Sequence, residues 1–244
     1  MSSIPAGLVV WDVDGTLIPA DLRWLRRAVA RTYQIQEGAV VFPSKRVHGY
    51  TDESIVLDTA ICSGVQPEMA EAGILRFHDV LVQVMDQGRS ELAREQPAYP
   101  GAADSISALH QYGFVQTVLT GNLRAAAEVK LDVAELDEFI DLSIGGFGSD
   151  ARDRFDLPAV IAARFAMRYS CPLDPRRTVL IGDAPNDIAT ARHAGFSVIA
   201  IAQRISRDEL AQHRPDAILD GLIADVLVAT VRSLVQQSSG SESL

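Results

Sequence analysis

A chain of 244 residues, 48% hydrophobic and 22% charged, is long enough for one large α/β domain or for a core that carries a smaller insertion. Its net charge of −10 repels phosphate polymers and argues against nucleic acid as a partner, while a local cluster of donors could still hold a small phosphorylated ligand. Cys62 and Cys171 form no CxxC pair, no apolar run reaches the length of a membrane span, and the start "MSSIPAGLVV" lacks a basic leader, so we expect a cytoplasmic protein, monomeric or homodimeric, with no membrane partner.

The first apolar run, Leu8 to Trp11, stops at Asp12, Asp14 and Gly15 and predicts a buried strand. Asp21 is a candidate N-cap for a helix that places Leu22, Leu25, Val29 and Thr32 on one face. Thr51, followed by Asp52 and Glu53, predicts a second helix start, and Gly64 its end. Pro67 opens a longer helical stretch, with Ile74, Phe77, Leu81, Val84 and Leu92 at helical spacing. From Pro19 to about Gln96 no strand is expected. Beyond Pro97 and the Pro100-Gly101 pair the pattern alternates. Residues 102–112 predict a helix, 114–120 a strand, 124–131 a helix and 139–144 a strand. A helix at 157–169, a strand at 178–182, a helix ending at Gly195 and a strand at 197–202 follow. A short edge strand at 216–220 and a closing helix from Leu222 complete the series.

This alternation predicts a doubly wound parallel sheet covered on both faces, with an all-helical insertion after its first strand. The expected boundaries are residues 1–18 and 97–236 for the core, 19–96 for the insertion and 237–244 for a polar tail. Open sheets of this kind bind ligands at the carboxyl ends of their strands. The polar signals collect there: Asp12 and Asp14 after the first strand, Thr120-Gly121-Asn122 after the second, the glycine-rich 145–150 stretch after the third, and Gly182-Asp183 with Asp187 after the fourth.

Asp12, Asp14, Asp183 and Asp187 brought together would repel one another, and a divalent cation relieves this. An all-oxygen donor set favours Mg²⁺ over Zn²⁺. Thr120 offers a hydroxyl and the Gly121-Asn122 loop offers backbone N–H groups at a helix start, a suitable anion site. One carboxylate could attack phosphorus while the second serves as general acid and base. Asn122 also reads as a helix cap. His48, near Lys45 and Arg46, either selects an acidic substrate or belongs to an exposed basic turn. A calcium loop fails, because Gly15 at its sixth position puts Val10 where an acid is needed. Gly146, Gly148 and Ala151 match only a loose dinucleotide fingerprint.

The first motif, Asp12-Val13-Asp14-Gly15-Thr16, with Thr120 and the Gly182-Asp183-x-x-x-Asp187 motif in order, resembles the haloacid dehalogenase superfamily. Within it the chain is most similar to the phosphoglycolate phosphatase and β-phosphoglucomutase branch, whose helical cap follows the first motif. The resemblance implies a Rossmann-like core and a Mg²⁺-dependent phosphatase acting on a small phosphorylated metabolite, of phosphoglycolate or sugar-phosphate type, through an aspartyl-phosphate. It implies Asp12 as nucleophile and metal ligand. Asp14 would be the general acid/base and would also bind metal through its backbone carbonyl. Thr120 and the amides after it would hold the phosphoryl group, Asp183 would bind metal, and Asp187 would support it. Gly49-Tyr50-Thr51-Asp52 resembles the cap loop that faces the site, which makes His48, Tyr50 and Thr51 candidate substrate contacts. The family's lysine after the third strand is missing. Of two lysines, Lys45 falls in the insertion and Lys130 mid-helix in a context that reads as structural. Arginine is expected in its place, Arg154 first and Arg152 second, with a different donor geometry. A phosphomutase and a non-catalytic phosphate-binding module are the alternatives.

Overall fold

The computed structural model describes residues 5–44 and 50–240, with side chains through Gln236. Its first strand, β1 (Leu8–Trp11), shows how period-two patterning builds the centre. Leu8 and Val10 pack into one apolar cluster, Val9 and Trp11 into the opposite one, because successive side chains leave a strand on opposite faces. The other strands are β2 (Val115–Thr120), β3 (Gly146–Phe147), β4 (Thr178–Gly182), β5 (Ser197–Ile201) and β6 (Ala217–Leu219). All pair in parallel in the order β3-β2-β1-β4-β5-β6. β1 is therefore flanked on both sides by β2 and β4, the order of winding switches from one side of it to the other, and parallel pairing aligns the carboxyl ends of these three neighbouring strands.

Between β1 and β2 the chain forms α1 (Arg23–Tyr33), α2 (Asp52–Cys62), α3 (Pro67–Ala72), α4 (Ile74–Gln87), α5 (Arg89–Glu95) and α6 (Ala102–Gln111). The remaining helices are α7 (Arg124–Val133), α8 (Leu157–Tyr169), α9 (Pro185–Ala194), α10 (Arg207–Ala211) and α11 (Ala224–Gly240). α6 and α11 cover one face of the sheet; α8 and α9 cover the other. The insertion, α1 to α5, has its own core around Trp24, Val29, Phe77, Leu81 and Met85. That core continues into Leu123, Ala126 and Val129 beside and along α7, so the insertion rests on a helix of the main domain.

Several expectations change. Residues 139–144 form no strand: Leu142–Ile144 is a 3₁₀ turn, and the third strand is the two-residue β3, paired only with Leu119 and Thr120. Ile144 still belongs to the core, so burial without strand pairing explains the apolar pattern. The stretch from Pro67 breaks at Gly73 and Gly88 into three helices. Helix α1 starts at Arg23 with Leu22 at its N-cap, and Asp21 Oδ1 accepts from Arg23 N at 2.8 Å. Helix α11 continues to Gly240, past residue 236. No helix among the described residues is long and apolar enough to cross a membrane.

Candidate active site

The loop leaving β1 is wound tightly enough to place its two carboxylates on different sides. Gly15 N donates to Ile18 O at 2.7 Å, and Gly15 has φ of 94°, a region that costs a side-chain-bearing residue. A Cβ there would lie 2.6 Å from Asp183 Oδ2, so the glycine lets the first motif touch the fourth. Asp12 is buried, its Oδ2 accepting from Thr16 Oγ1 at 3.1 Å and its Oδ1 from Arg154 Nη2 at 2.9 Å. Asp14 faces the other way, towards α7, where Lys130 Nζ donates to Oδ1 at 2.8 Å and Oδ2 at 2.6 Å.

Carboxylate oxygens of Asp12, Asp183 and Asp187 lie within 4.8 Å of one another, all three buried. The Asp14 side chain is not among them; only its backbone carbonyl is left for the metal role the resemblance implied. Arg154 Nη2 also donates to Asp187 Oδ1 at 2.6 Å and to Leu119 O at 3.1 Å. Arg204 Nε donates to Asp183 Oδ2 at 2.9 Å. The four carboxylates thus face Arg154, Arg204 and Lys130, which leaves one negative charge uncompensated before a phosphate arrives. Burial, then Asp187, pushes the Asp12 carboxyl up to about 7 against the pull of Arg154. Burial, then Asp12, pushes Asp183 up to about 6, and burial also raises Asp187. Buried carboxylates that resist ionisation, with no His or Cys among them, are a fitting donor set for a hard divalent cation.

Thr120, Gly121 and Asn122 line a cavity together with Asp12, Asp14, Arg154, Tyr50, Asp52 and Lys130. Asn122 N donates to Thr120 Oγ1 at 3.2 Å, and Asn122 Oδ1 accepts from Lys130 Nζ at 2.9 Å. Gly121 is the seat of the insertion. Asp52 N donates to Gly121 O at 2.7 Å, and a Cβ on Gly121 would lie 1.9 Å from Tyr50 O. Asp52 Oδ2 accepts from Leu123 N at 2.9 Å, and burial pushes Asp52 up to about 6 although Lys130 opposes.

Two expected substrate contacts lie elsewhere. Thr51 is the buried N-cap of α2, and its hydroxyl donates to Arg152 O at 2.8 Å. Arg152 points away from the carboxylates and pairs with Glu53 at 2.9 Å and with Glu71, both on the insertion. Between the two arginines on that loop, Arg154 is the one at Asp12. His48 lies outside the described residues.

Three participants were not anticipated. Lys130 has the largest part: α7 would expose it on an uncovered α/β layer, but α4 and α5 of the insertion bury it. Arg204 follows β5, and the strand-end rule that located the other loops would have found it. Thr16, the last residue of the first motif, bonds Asp12 and approaches Asp183 Oδ1 at 3.4 Å.

Residues 7–195 match the model of the haloacid dehalogenase-like hydrolase family. The chain belongs to that family. Among related sequences, it is 22% identical over 240 residues to a protein of Dickeya dadantii named probable phosphatase IndB, covering 95% of this chain and 96% of that one. It is 24% identical over 235 residues to a phosphoglycolate phosphatase of Vibrio vulnificus, covering 91% and 96%. A similar solved structure is that of CbbY from Rhodobacter sphaeroides in complex with phosphate, with a TM-score of 0.61, 20% identity, and 90% and 96% coverage. For this haloacid dehalogenase-like hydrolase, that likeness establishes the architecture, six parallel strands with flanking helices.

Proposed function

We propose that this hydrolase is a Mg²⁺-dependent phosphatase of a small phosphorylated metabolite, working through an aspartyl-phosphate on Asp12, with α1 to α5 as a cap over the substrate. The carrying observation is the division of labour two residues apart: Asp12 in the buried carboxylate cluster, Asp14 turned away from it and held by Lys130. Relatives named as phosphatases support the same reading.

Asp12, Asp183 and Asp187 would hold the Mg²⁺, which when bound offsets their charge and polarises the phosphoryl group. Thr120 and the amides of Gly121 and Asn122 bind phosphoryl oxygens. Arg154 orients the Asp12 carboxylate and balances charge beside it. An Asp12 oxygen attacks phosphorus and the ester P–O bond breaks, while protonated Asp14 gives its proton to the leaving oxygen. Asp14, now a carboxylate, takes a proton from water, which attacks phosphorus and releases phosphate and Asp12. Lys130 is a positioning residue in this scheme: all three of its donors are spent on Asp14 and Asn122.

The test is phosphate release from p-nitrophenyl phosphate with Mg²⁺ and with excess chelator, for wild type and Asp12→Asn. Turnover should require the metal and vanish in the variant. Equal rates with chelator, or an active Asp12→Asn protein, would refute the scheme. Phosphate transfer without net release would point to the mutase.

A further inference from the structure

The cavity beside Asp12 has two unlike walls. The core wall is polar: Asp12, Thr120, Gly121, Asn122 and Arg154. The opposite wall, from the insertion and its approach, consists mainly of Leu22, Trp24, Leu25, Ile55, Leu81 and Met85. Several of its polar groups are already committed. Trp24 Nε1 donates to Gln96 Oε1. Asp21 accepts from Arg23 N at 2.8 Å and from Arg23 Nε at 2.6 Å. Lys130 has spent its donors on Asp14 and Asn122. The remaining charged group, Asp52, is an acid whose Oδ2 is bonded to Leu123 N.

A substrate with its phosphate on the core wall sends its leaving group against this surface. On this wall a carboxylated leaving group would meet the acids Asp21 and Asp52 and, among the described residues, no cation other than Lys130, whose donors are spent. A polyol would bury most of its hydroxyls against leucine, methionine and an indole face, with few acceptors there beyond Asp21 and Asp52. The cavity is open at its mouth and has a volume of about 60 Å³, so the part of the leaving group that the wall covers is small. Resting on the phosphatase reading, the geometry points to a phosphomonoester with a small, uncharged, apolar leaving group, a short alkyl or compact ring phosphate, and the α1–α2–α4 wall selects it.

The experiment compares kcat/KM for methyl, ethyl, propyl and butyl phosphate with that for phosphoglycolate and glycerol 3-phosphate, whose leaving groups are also alkoxides. Burial of each added methylene should raise kcat/KM about fourfold until the cavity is full. Phosphoglycolate and glycerol 3-phosphate should fall at least tenfold below propyl phosphate. A flat alkyl series, or phosphoglycolate or glycerol 3-phosphate above propyl phosphate, overturns the inference. Leu25→Asn should lower the butyl-to-methyl ratio, and an unchanged ratio counts against the wall. Binding of the same esters to Asp12→Asn protein, measured by calorimetry, gives the ranking without chemistry. No phosphate release from any ester would sink the phosphatase reading, and the binding order would still judge the wall.

Discussion

Replacing Arg154 by methionine keeps the side chain's bulk and removes a buried cation. One guanidinium nitrogen serves three acceptors, at 2.9 Å from Asp12, 2.6 Å from Asp187 and 3.1 Å from Leu119 O. Both carboxylates are buried, so water cannot replace the lost partner. Removing one member of a buried ion pair costs about 3–5 kcal/mol, which for a chain of this size lowers Tm by roughly 10 °C. Loss of a preorganised donor at the reacting group lowers kcat about 10²- to 10³-fold. Arg154→Lys separates charge from reach. Its ammonium stands about one bond short of the Nη2 position but stays positive, so it should recover at least tenfold of the lost kcat. Thermal melts in chelator and steady-state kinetics in saturating Mg²⁺ measure the two effects. Arg154→Met with more than a tenth of wild-type kcat/KM and an unmoved Tm would refute this role.

Lys130→Met should lower kcat at least tenfold with KM for an aryl phosphate nearly unchanged, because the lysine holds Asp14 while leaving substrate to other groups; a KM rise at constant kcat would make it a binding residue. Gly121→Ala puts a Cβ 1.9 Å from Tyr50 O and must displace the insertion, so kcat/KM should fall about a hundredfold while Gly38→Ala, with open space around it, leaves it unchanged. Steady-state kinetics on the two proteins tests this, and equal values would show that insertion seating is irrelevant. In chelator, Asp12 at about 7 and Asp183 at about 6 bind protons that the unfolded chain, with aspartates near ~3.9, has released. Their contribution to stability is therefore full below pH 4 and lost as pH rises through 7. Mg²⁺ favours the ionised forms, so its Tm increment should be larger at pH 7.5 than at pH 5; equal increments would contradict metal binding at these carboxylates.

Much of this protein was legible along the chain because its signals are local. The β1, β2, β4 and β5 runs carry the apolar patterning of buried parallel strands, and β4 and α8 match their expected bounds residue for residue. Strand ends marked by Asp, Thr and Gly pointed to one edge of the sheet, and parallel pairing brought Asp12, Thr120, Asp183 and Asp187 there. Arg154 was reachable only through the family resemblance, which calls for a cation after the third strand. The short β3 escaped because two paired residues carry no periodicity.

Other features depend on packing between distant segments, which no local pattern encodes. Arg152 and Arg154 stand two residues apart in similar surroundings, yet one pairs with the insertion's Glu53 and Glu71 and the other with Asp12. Lys130 looks like an ordinary helix lysine until α4 and α5 cover α7, and Asp14, 116 residues earlier, becomes its partner. The apolar wall facing the site is likewise assembled from α1, α2 and α4, whose hydrophobic stripes read only as helix core. A buried charge or a shared cavity is a property of surfaces brought together, and that meeting is decided by how the insertion seats on Gly121.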